Sequence, residues 1–373
     1  MKREKNVLLV TLFDNNNIGN RLQNYALYHL LEEHNVNVVT LDNCYTAQPS
    51  FKHTIKMQLK AVLGMLGNQK YLSEYNQFCI TSRIRRASKE FNKKYIKNII
   101  KIANNQEAFE RKWEGVDIAI AGSDQVWHKW HDDVNELPFY YLEFMPKEKR
   151  FSYAASFGFE KIPSSDLQQH KVGLNGMKQI SCRENTGCTI VREILGQDVP
   201  KVLDPTLLLS PLEWKKIAQQ ASKVVKGQDK YAFVYFLGDL SEEYKKYMDE
   251  TMKALKITNC IDFLDNQNHK ISKCGPSEFL SLIDNADYIF TDSFHCTVFS
   301  TLFNKNFTVF RRIQPGFEKM FSRLEEFLSS KGLLDHIYGG TQAEASNDFD
   351  ELFRKSISFL EKILESDNED REN

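Results

Sequence analysis

The chain repeats one local plan, in which a short apolar run leads through a polar turn into an amphipathic helical pattern. In the first unit the run NVLLVTLF is followed by the turn DNNNIGN and then by RLQNYALYHLLEEHN. Within that last stretch Leu22, Tyr25, Ala26, His29 and Leu30 recur at helical spacing. Strands that alternate with helices build parallel sheets, so this plan predicts an α/β fold.

Two series of such units predict two domains. The first series continues after the opening strand with the apolar runs NVVTLD, VDIAIAGSD, RFSYAASFG, QISCRE and KVLDPTLLL. The pattern restarts after SPLEWKKIAQQAS with YAFVYFLG, ITNCIDFL, DYIFTDS and FTVFRR. We therefore predict two Rossmann-like domains that face a cleft, residues 1–205 and residues 206–373, of which the second ends in the acidic tail ESDNEDREN.

Residues 51–101 depart from this plan because basic side chains dominate them. Glu74 and Glu90 are the acidic residues of the segment, against twelve lysines and arginines at positions 52, 56, 60, 70, 83, 85, 86, 89, 93, 94, 97 and 101. Apolar side chains are interleaved at helical spacing, namely Ile55, Leu59, Leu63 and Leu66. Two interpretations remain open: a helical insertion that faces water, and a basic amphipathic surface that docks on anionic lipid.

Composition excludes several classes of protein. The 373 residues carry a formal net charge of −1, which argues against a general nucleic-acid binder. Seven cysteines without a CxxC pair favour a reducing compartment over disulfides or zinc. No apolar run reaches the roughly 18 residues of a membrane-spanning helix, and MKREKNVLLVTLF lacks a signal-peptide cleavage site. We therefore expect a cytoplasmic protein.

The phosphate-binding loops of common nucleotide enzymes are missing from the sequence. Neither G-x-G-x-x-G nor G-x-x-x-x-G-K-[ST] occurs, so NAD binding and ATP hydrolysis are disfavoured. The opening turn instead carries Asn17, and the helix that it starts places Asn20, Gln23 and Asn24 on one face. Such a cluster either binds a polyhydroxylated ligand or only caps the helix. Asp204 in LDPT is expected to cap a turn.

The end of the VDIAIAGSD run carries a second polar and aromatic group. Ser123 and Asp124 lie at the carboxyl end of this predicted strand, and Trp127 and His128 follow directly. An aromatic ring stacks on a sugar ring, and a carboxylate accepts hydrogen bonds from sugar hydroxyls. This combination therefore favours a sugar ligand.

Basic residues follow three predicted strands, where anions would collect. Ser293 follows DYIFT at the position of a helix N-cap, and His295 falls in the first helical turn, whose N–H groups have no intrahelical partner. Open α/β sheets usually bind their ligand at this end of a strand, although a histidine buried under the turn is the alternative. Arg183 in ISCREN either binds a carboxylate or phosphate or forms a salt bridge, and Arg311 and Arg312 end the last strand.

Seven stretches occur in the order GNRLQNYAL, AGSDQVW, RFSYAASFG, ISCRE, VLDPTLLL, EFLSLIDNADYIFTDSFH and VFSTLFN. Together they resemble the polysaccharide pyruvyl transferases over a range from about Thr11 to about Arg312. The resemblance implies a GT-B-like pair of Rossmann-like domains with the active site between them. It also implies transfer of the enolpyruvyl unit of phosphoenolpyruvate onto two hydroxyls of a sugar, which yields a cyclic pyruvate ketal and phosphate.

The resemblance further implies that Arg183 and His295 bind the donor, and together with Asp124 they form the catalytic group that we predict. The donor site is expected to comprise Arg183, Ser293, Phe294, His295, Arg311 and Arg312. The acceptor site is expected to comprise Asn17, Asn20, Asn24, Ser123, Asp124, Trp127 and His128. We expect His295 to bind phosphate and to protonate the leaving group, and Asp124 to act as base. Phosphoenolpyruvate is the expected co-substrate, without a metal or an organic cofactor.

This chain departs from the family pattern at the donor site. Ser293 stands where many members have arginine, and Cys296 stands where glycine often follows the histidine. Either Arg311 or Arg312 supplies the positive charge that is missing, or the donor differs. Two other functions therefore stay open: a nucleotide-sugar glycosyltransferase with the same two-domain plan, and a sugar-binding protein without catalysis.

The family's acceptors also bear on the basic segment. They are often lipid-linked oligosaccharides, which are presented at the cytoplasmic face of the membrane. The resemblance therefore implies a protein that works at the inner face of the cell membrane, with peripheral contact through residues 51–101.

Overall fold

The computed structural model describes residues 4–43, 49–221, 230–265, 274–314, 321–342, 344 and 348–366. The first five strands in the described part of the chain are β1 (Asn6–Val10), β2 (Asn37–Asp42), β3 (Ile99–Lys101), β4 (Ile118–Ala121) and β5 (Arg150–Ser152). They form one sheet in the order β3-β2-β1-β4-β5, with every pair parallel. Central β1 has the sequence NVLLV and is buried over Val7–Val10, as expected for a parallel strand covered on both faces.

A second parallel sheet follows in the later half of the chain. Its strands are β6 (Tyr231–Tyr235), β7 (Asn259–Asp262), β8 (Tyr288–Thr291) and β9 (Phe307–Val309), in the order β7-β6-β8-β9. Two parallel sheets with intervening helices confirm the predicted α/β architecture. The predicted boundary between residues 205 and 206 lies between the two sheets and stays a prediction.

Helices connect the strands throughout. Those of the first half are α1 (Ile18–Glu33), α2 (Phe51–Met65), α3 (Gln69–Tyr95), α4 (Asn105–Glu110), α5 (Glu136–Tyr140), α6 (Leu167–Asn175), α7 (Asn185–Leu195) and α8 (Pro211–Gln219). Those of the second half are α9 (Glu242–Ala254), α10 (Pro276–Asn285), α11 (Phe294–Leu302), α12 (Ser322–Ser330) and α13 (Asp348–Glu365). Short 3₁₀ turns occupy Lys147–Lys149, Pro205–Leu207 and Leu334–His336. The acidic tail predicted at the C-terminus falls mainly on residues 367–373, outside the described residues.

The predicted fifth and sixth strands shrink to isolated parallel bridges. Cys182 bridges Ala155 on one side and Lys201 on the other, which extends the first sheet without forming further regular strands. The run KVLDPTLLL leaves the sheet early because the side chain of Asp204 accepts a hydrogen bond from the Thr206 N–H and caps the 3₁₀ turn that begins at Pro205. This early departure keeps Asp204 at the carboxyl edge of the sheet.

Strand β3 was not predicted, because three residues at the end of a basic segment carry too short a pattern. The basic segment itself forms α2 and α3, which pack against each other closely at Gly64, where an added Cβ would lie 2.8 Å from the backbone nitrogen of Leu72. Helix α3 also packs on α1 and α10 and buries Ile84 and Phe91.

The last described helix, α13, packs against residues from the first half of the chain. Leu360, Ile363 and Leu364 of α13 are buried in the largest core cluster. The Leu203 backbone N–H donates a 2.8 Å hydrogen bond to the Ser356 hydroxyl, which joins α13 to the segment that follows the first sheet. Over the residues described, no helix combines the length and the apolar character that crossing a membrane requires.

Candidate active site

A cavity of about 780 Å³ lies between the carboxyl ends of the two sheets. Its first wall comes from the residues after β1 and β4, including Asn17, Asn20 and Asp124. Its second wall comes from the residues after β8, including Ser293 and His295. The cavity therefore lies where open α/β sheets usually bind ligands.

The second wall is the start of helix α11. The Ser293 hydroxyl accepts a 3.5 Å hydrogen bond from the Cys296 N–H and so caps the helix, as the sequence predicted. Phe294 and His295 follow in the first turn and line the cavity with Ser293. The positive end of the helix dipole thus faces the cavity.

Helix α1 approaches the same point from the first wall. Asn17 caps it by accepting a 3.3 Å hydrogen bond from the Asn20 N–H. Its second residue, Gly19, touches the imidazole of His295, since an added Cβ would lie 2.2 Å from His295 Nδ1. Two helix N-termini from opposite walls therefore converge on this histidine, an arrangement that favours a bound anion.

Arg183 forms a buried cluster with three carboxylates behind this wall. Its guanidinium lies 2.8 Å from Asp204, 3.3 Å from Asp124 and 3.6 Å from Glu184. Burial lowers the pKa of Arg183, but the three carboxylates raise it by more, so the net shift is upward and the charge is permanent. Arg183 lines a separate cavity of about 50 Å³ and not the main one. The predicted donor contact is thus engaged with protein carboxylates in this structure.

His295 lies beside the same cluster, with Nε2 3.8 Å from Asp204 Oδ2. Among the described residues Nε2 has no hydrogen-bond partner. Burial lowers the pKa of His295, the positive charges of Arg183 and Arg323 act in the same direction, and Asp204 and Asp124 oppose them incompletely. The imidazole is therefore neutral at pH 7, and an anion bound beside it would raise its pKa.

The predicted cations Arg311 and Arg312 differ in position. Arg312 lines the cavity, where its Nε donates a 3.1 Å hydrogen bond to Asp292. Arg311 does not line it, because its exposed guanidinium turns to Glu325 at 2.5 Å. Arg311 is therefore not part of the cavity wall in this structure, and its contact with the donor stays a prediction.

The first wall carries part of the predicted acceptor site. Asn17, Asn20, Asp124 and His128 all line the cavity. The ring of His128 lies 4.4 Å from that of Trp130, and burial lowers its pKa although Nδ1 lies 3.2 Å from the Phe157 carbonyl oxygen. Amides, a carboxylate and an aromatic pair are thus available to a polar ligand.

Three predicted acceptor residues do not reach the cavity. Trp127 is fully buried and stacks on Tyr141 at 5.2 Å, so the half-exposed Trp130 takes its place on the wall. Asn24 is buried and accepts a 3.3 Å hydrogen bond from Arg21. Ser123 is buried and donates a 3.4 Å hydrogen bond to Asp204. Ser123 and Trp127 turn into the core after β4, and Asn24 lies on a buried face of α1, so their contacts with a sugar stay predictions that this structure does not support directly.

Asp204 and Arg323 were not predicted as site residues. Asp204 caps its turn with one oxygen, as expected, and turns the other to Arg183 and His295. Asp204 directly follows a predicted strand, as Asp124 does, so both positions carried the same indication of a site residue. Arg323 lies on α12 and lines both cavities, and nothing in the pattern of that helix distinguishes it from a solvent-facing arginine.

Comparison with known proteins shows both the fold and the family. UDP-GlcNAc 2-epimerase from Methanocaldococcus jannaschii is similar at 13% sequence identity with a TM-score of 0.52, and the match covers 95% of this chain and 92% of that chain. The S. aureus MnaA–UDP co-structure is similar at 8% identity with a TM-score of 0.47, over 98% of this chain and 90% of that chain. The likeness to the first of these structures shows the fold alone, and it confirms the predicted GT-B-like pair of Rossmann-like domains.

None of the curated proteins compared with the chain matches it significantly. A family model described as polysaccharide pyruvyl transferase matches residues 17–313, a range that includes Asp124, Arg183, Asp204 and His295. The chain therefore belongs to the polysaccharide pyruvyl transferase family.

Proposed function

We propose that the protein transfers the enolpyruvyl unit of phosphoenolpyruvate to two hydroxyls of a sugar in a surface or capsular polysaccharide precursor. The observation that carries this proposal is the asymmetry of the cavity. One wall presents a helix N-terminus, an imidazole and arginines, which suit an anionic donor. The other presents amides, aromatic rings and Asp124, which suit a sugar.

In this proposal the donor lies against the N-terminus of α11. Ser293 and His295 face its phosphate, and Arg312 lies on the same wall. Free His295 is neutral at pH 7 because burial lowers its pKa, and the dianionic phosphate would raise that pKa. Donor binding would therefore load His295 with the proton that it later gives to the leaving phosphate.

Asp124 is the proposed base for the sugar hydroxyl. Its carboxylate lies on the cavity wall and is held by the Gln125 N–H at 2.9 Å and by Arg183 at 3.3 Å. The arginine gives the carboxylate a fixed orientation. Arg183 in turn stays a predicted donor contact, but its ion pairs with Asp124 and Asp204 support a role in positioning these two carboxylates.

The proposed reaction forms two C–O bonds at the central carbon of the donor. A proton adds to the terminal methylene, the first sugar hydroxyl attacks the central carbon, and Asp124 takes the hydroxyl proton. The bond from that carbon to the phosphate oxygen then breaks, and the phosphate leaves with a proton from His295. The second hydroxyl closes the ring and releases its proton to solvent, so the two hydroxyl protons balance the one that the methylene takes up from solvent and the one that leaves with the phosphate. This sequence uses phosphoenolpyruvate as co-substrate and calls on no metal or organic cofactor.

Ligand-dependent melting separates this function from the alternatives. We expect phosphoenolpyruvate to raise the melting temperature, since a ligand that binds only the native state stabilises it by RT ln(1 + [L]/Kd), about 2.7 kcal/mol at a concentration of 100 Kd. UDP and GDP are the matched controls. A shift with a nucleoside diphosphate alone would identify a nucleotide-sugar glycosyltransferase, and no shift with any of the three ligands would favour a sugar-binding protein without catalysis.

We further propose that the acceptor is lipid-linked and that helix α2 holds the enzyme at the inner face of the membrane. One face of α2 packs on α3 through Met57, Ala61 and Gly64. The opposite face exposes an apolar stripe at helical spacing, namely Phe51, Ile55, Leu59, Val62, Leu63 and Leu66. Exposed Lys52, Lys56 and Lys70 accompany the stripe. An apolar stripe with flanking lysines suits shallow insertion into an anionic bilayer.

Vesicle binding tests this surface. We expect the wild-type protein to co-sediment with anionic vesicles at low salt and to release near 0.5 M salt, because each lysine near the surface contributes about 1 kcal/mol and salt screens it. Changing Lys52, Lys56 and Lys70 together to Glu should abolish binding without changing activity on a short soluble acceptor.

The control is the same charge reversal at three exposed lysines of α9, namely Lys245, Lys246 and Lys253. The proposed membrane contact would be contradicted if both triple variants lost vesicle binding equally. It would also be contradicted if the wild type bound neutral and anionic vesicles equally. Arg83 and Arg85 are unsuitable for this test, because both are partly buried and Arg85 donates a 3.0 Å hydrogen bond to Asn16 on the cavity wall.

A further inference from the structure

Two arginines of the described chain line the main cavity, and only one of them is neutralised. Arg312 donates a 3.1 Å hydrogen bond to Asp292, a carboxylate that also accepts 2.8 Å hydrogen bonds from the N–H groups of Leu237 and Gly238. This carboxylate fixes the guanidinium and offsets its charge. Arg312 is therefore a poor source of free positive charge for a ligand.

Within the described part of the chain, Arg323 has no such carboxylate partner. It lies in the first turn of α12, partly buried, between the main cavity and the smaller cavity beside Arg183. Its guanidinium carbon lies 5.8 Å from the centre of the Phe294 ring, which supports it sideways. It makes no hydrogen bond or ion pair with any residue that the structure describes.

The surroundings of Arg323 penalise its charge. Burial and the nearby positive charge of Arg183 lower its pKa to about 10, although Glu184, Asp124 and Asp204 act in the opposite direction. The group is still charged at pH 7, so a partly desolvated cation stands at the cavity without a hydrogen-bond or ion-pair partner among the described residues. A bound anion would supply the missing hydrogen bonds and relieve the repulsion between the two arginines.

We propose that Arg323 binds the phosphate of the donor, beside His295 and the N-terminus of α11. The identity of the donor rests on the proposed function; the anion site rests on the contacts above. This assignment answers the question raised by Ser293, which stands where many family members carry arginine. The positive charge comes from Arg323 on α12, ten residues beyond the end of the matched family range, and not from Arg311 or Arg312.

Calorimetric titration with inorganic phosphate and with phosphoenolpyruvate tests the assignment. Arg323→Met keeps an apolar side chain against Phe294 and removes the guanidinium group with its charge and its N–H donors. We expect it to weaken binding of both probes about 10- to 100-fold, the range for losing a charge-assisted hydrogen-bond pair. Arg323→Lys should recover part of the affinity, because it keeps the charge without the bidentate geometry. The melting temperature without ligand should change little.

Arg312→Met and Arg311→Met are the matched variants. We expect Arg312→Met to have the smaller effect and Arg311→Met to leave both affinities within about twofold, since exposed ion pairs contribute little. The assignment is overturned if Arg323→Met binds inorganic phosphate as tightly as the wild type does. It is also overturned if Arg323→Met only lowers the melting temperature, which would leave Arg323 as a counter-charge to the carboxylates around Arg183.

The same titration keeps the two proposals apart. If inorganic phosphate binds the wild type through Arg323 but phosphoenolpyruvate does not compete with it, the anion site stands and the proposed donor is wrong. If phosphoenolpyruvate is turned over but Arg323→Met binds and uses it unchanged, the proposed function stands and the assignment of Arg323 is wrong.

Discussion

Replacing His295 with glutamine is expected to slow phosphate release from phosphoenolpyruvate by about 10²- to 10⁴-fold, the usual contribution of a positioned general acid or base. Glutamine fills much of the imidazole volume against Gly19 but takes up no proton. Because His295 Nε2 has no hydrogen-bond partner among the described residues, the fold should lose little. Steady-state kinetics and thermal melting of the purified variant measure the two effects.

The pH dependence checks the same role. Burial lowers the pKa of free His295, so the imidazole is neutral at pH 7, and in the proposed function it takes up a proton as phosphoenolpyruvate binds. Calorimetry in two buffers of different ionisation enthalpy should show proton uptake in the wild type and less in His295→Gln. Activity within about fivefold of the wild type, or a variant that unfolds with normal activity per folded molecule, would make His295 a structural residue.

Replacing Asp204 with alanine is expected to cost about 3–5 kcal/mol of folding free energy, because it leaves a buried arginine without its best partner. Asp204 is fully buried and accepts a 2.8 Å hydrogen bond from Arg183. Its other oxygen accepts 3.0 and 2.7 Å hydrogen bonds from the Thr206 N–H and hydroxyl. Urea unfolding of the variant and the wild type measures the difference.

Asp198→Ala is the matched control, since Asp198 pairs with Arg192 on the surface and should cost at most about 1 kcal/mol. Burial raises the pKa of Asp204, but His295, once it is protonated in acid, Arg183 and the hydrogen bonds lower it by more, so the native pKa lies below the ordinary 3.8. A lowered native pKa stabilises the fold above the unfolded pKa and stops doing so as pH falls through the native value. The difference between wild type and Asp204→Asn should therefore shrink below about pH 4, and a constant difference down to pH 2 would contradict the ion-pair account.

Much of the fold follows from patterns that only parallel sheets produce. The buried run in β1, the Ser293 cap and the alternation of strands and helices each have a local cause, so one sequence is enough to predict them. The fifth and sixth strands were overpredicted because an apolar run does not show where strand pairing stops. In the sixth, the turn that Asp204 caps at Pro205 ends the pairing.

The site was harder to predict than the fold, because a position after a strand does not tell which way a side chain turns. Trp127 turns into the core while Trp130, three residues later, lines the cavity. Arg183 lies at the predicted strand end, yet three carboxylates from separate segments surround it. Arg323 reaches the cavity from a helix that follows both sheets, and only the packing of α12 brings it there.

Phosphorus NMR of phosphoenolpyruvate mixed with the enzyme and a panel of lipid-linked galactosyl and N-acetylmannosaminyl acceptors tests the central claim. We expect phosphoenolpyruvate to be consumed and inorganic phosphate to appear with one acceptor only, in equal amounts with a pyruvate ketal on that sugar. Without acceptor both signals should stay constant, and with His295→Gln they should change little over the time in which the wild type consumes the donor. Binding of phosphoenolpyruvate with no phosphate release on any acceptor, or transfer from a nucleotide sugar instead, would contradict the account.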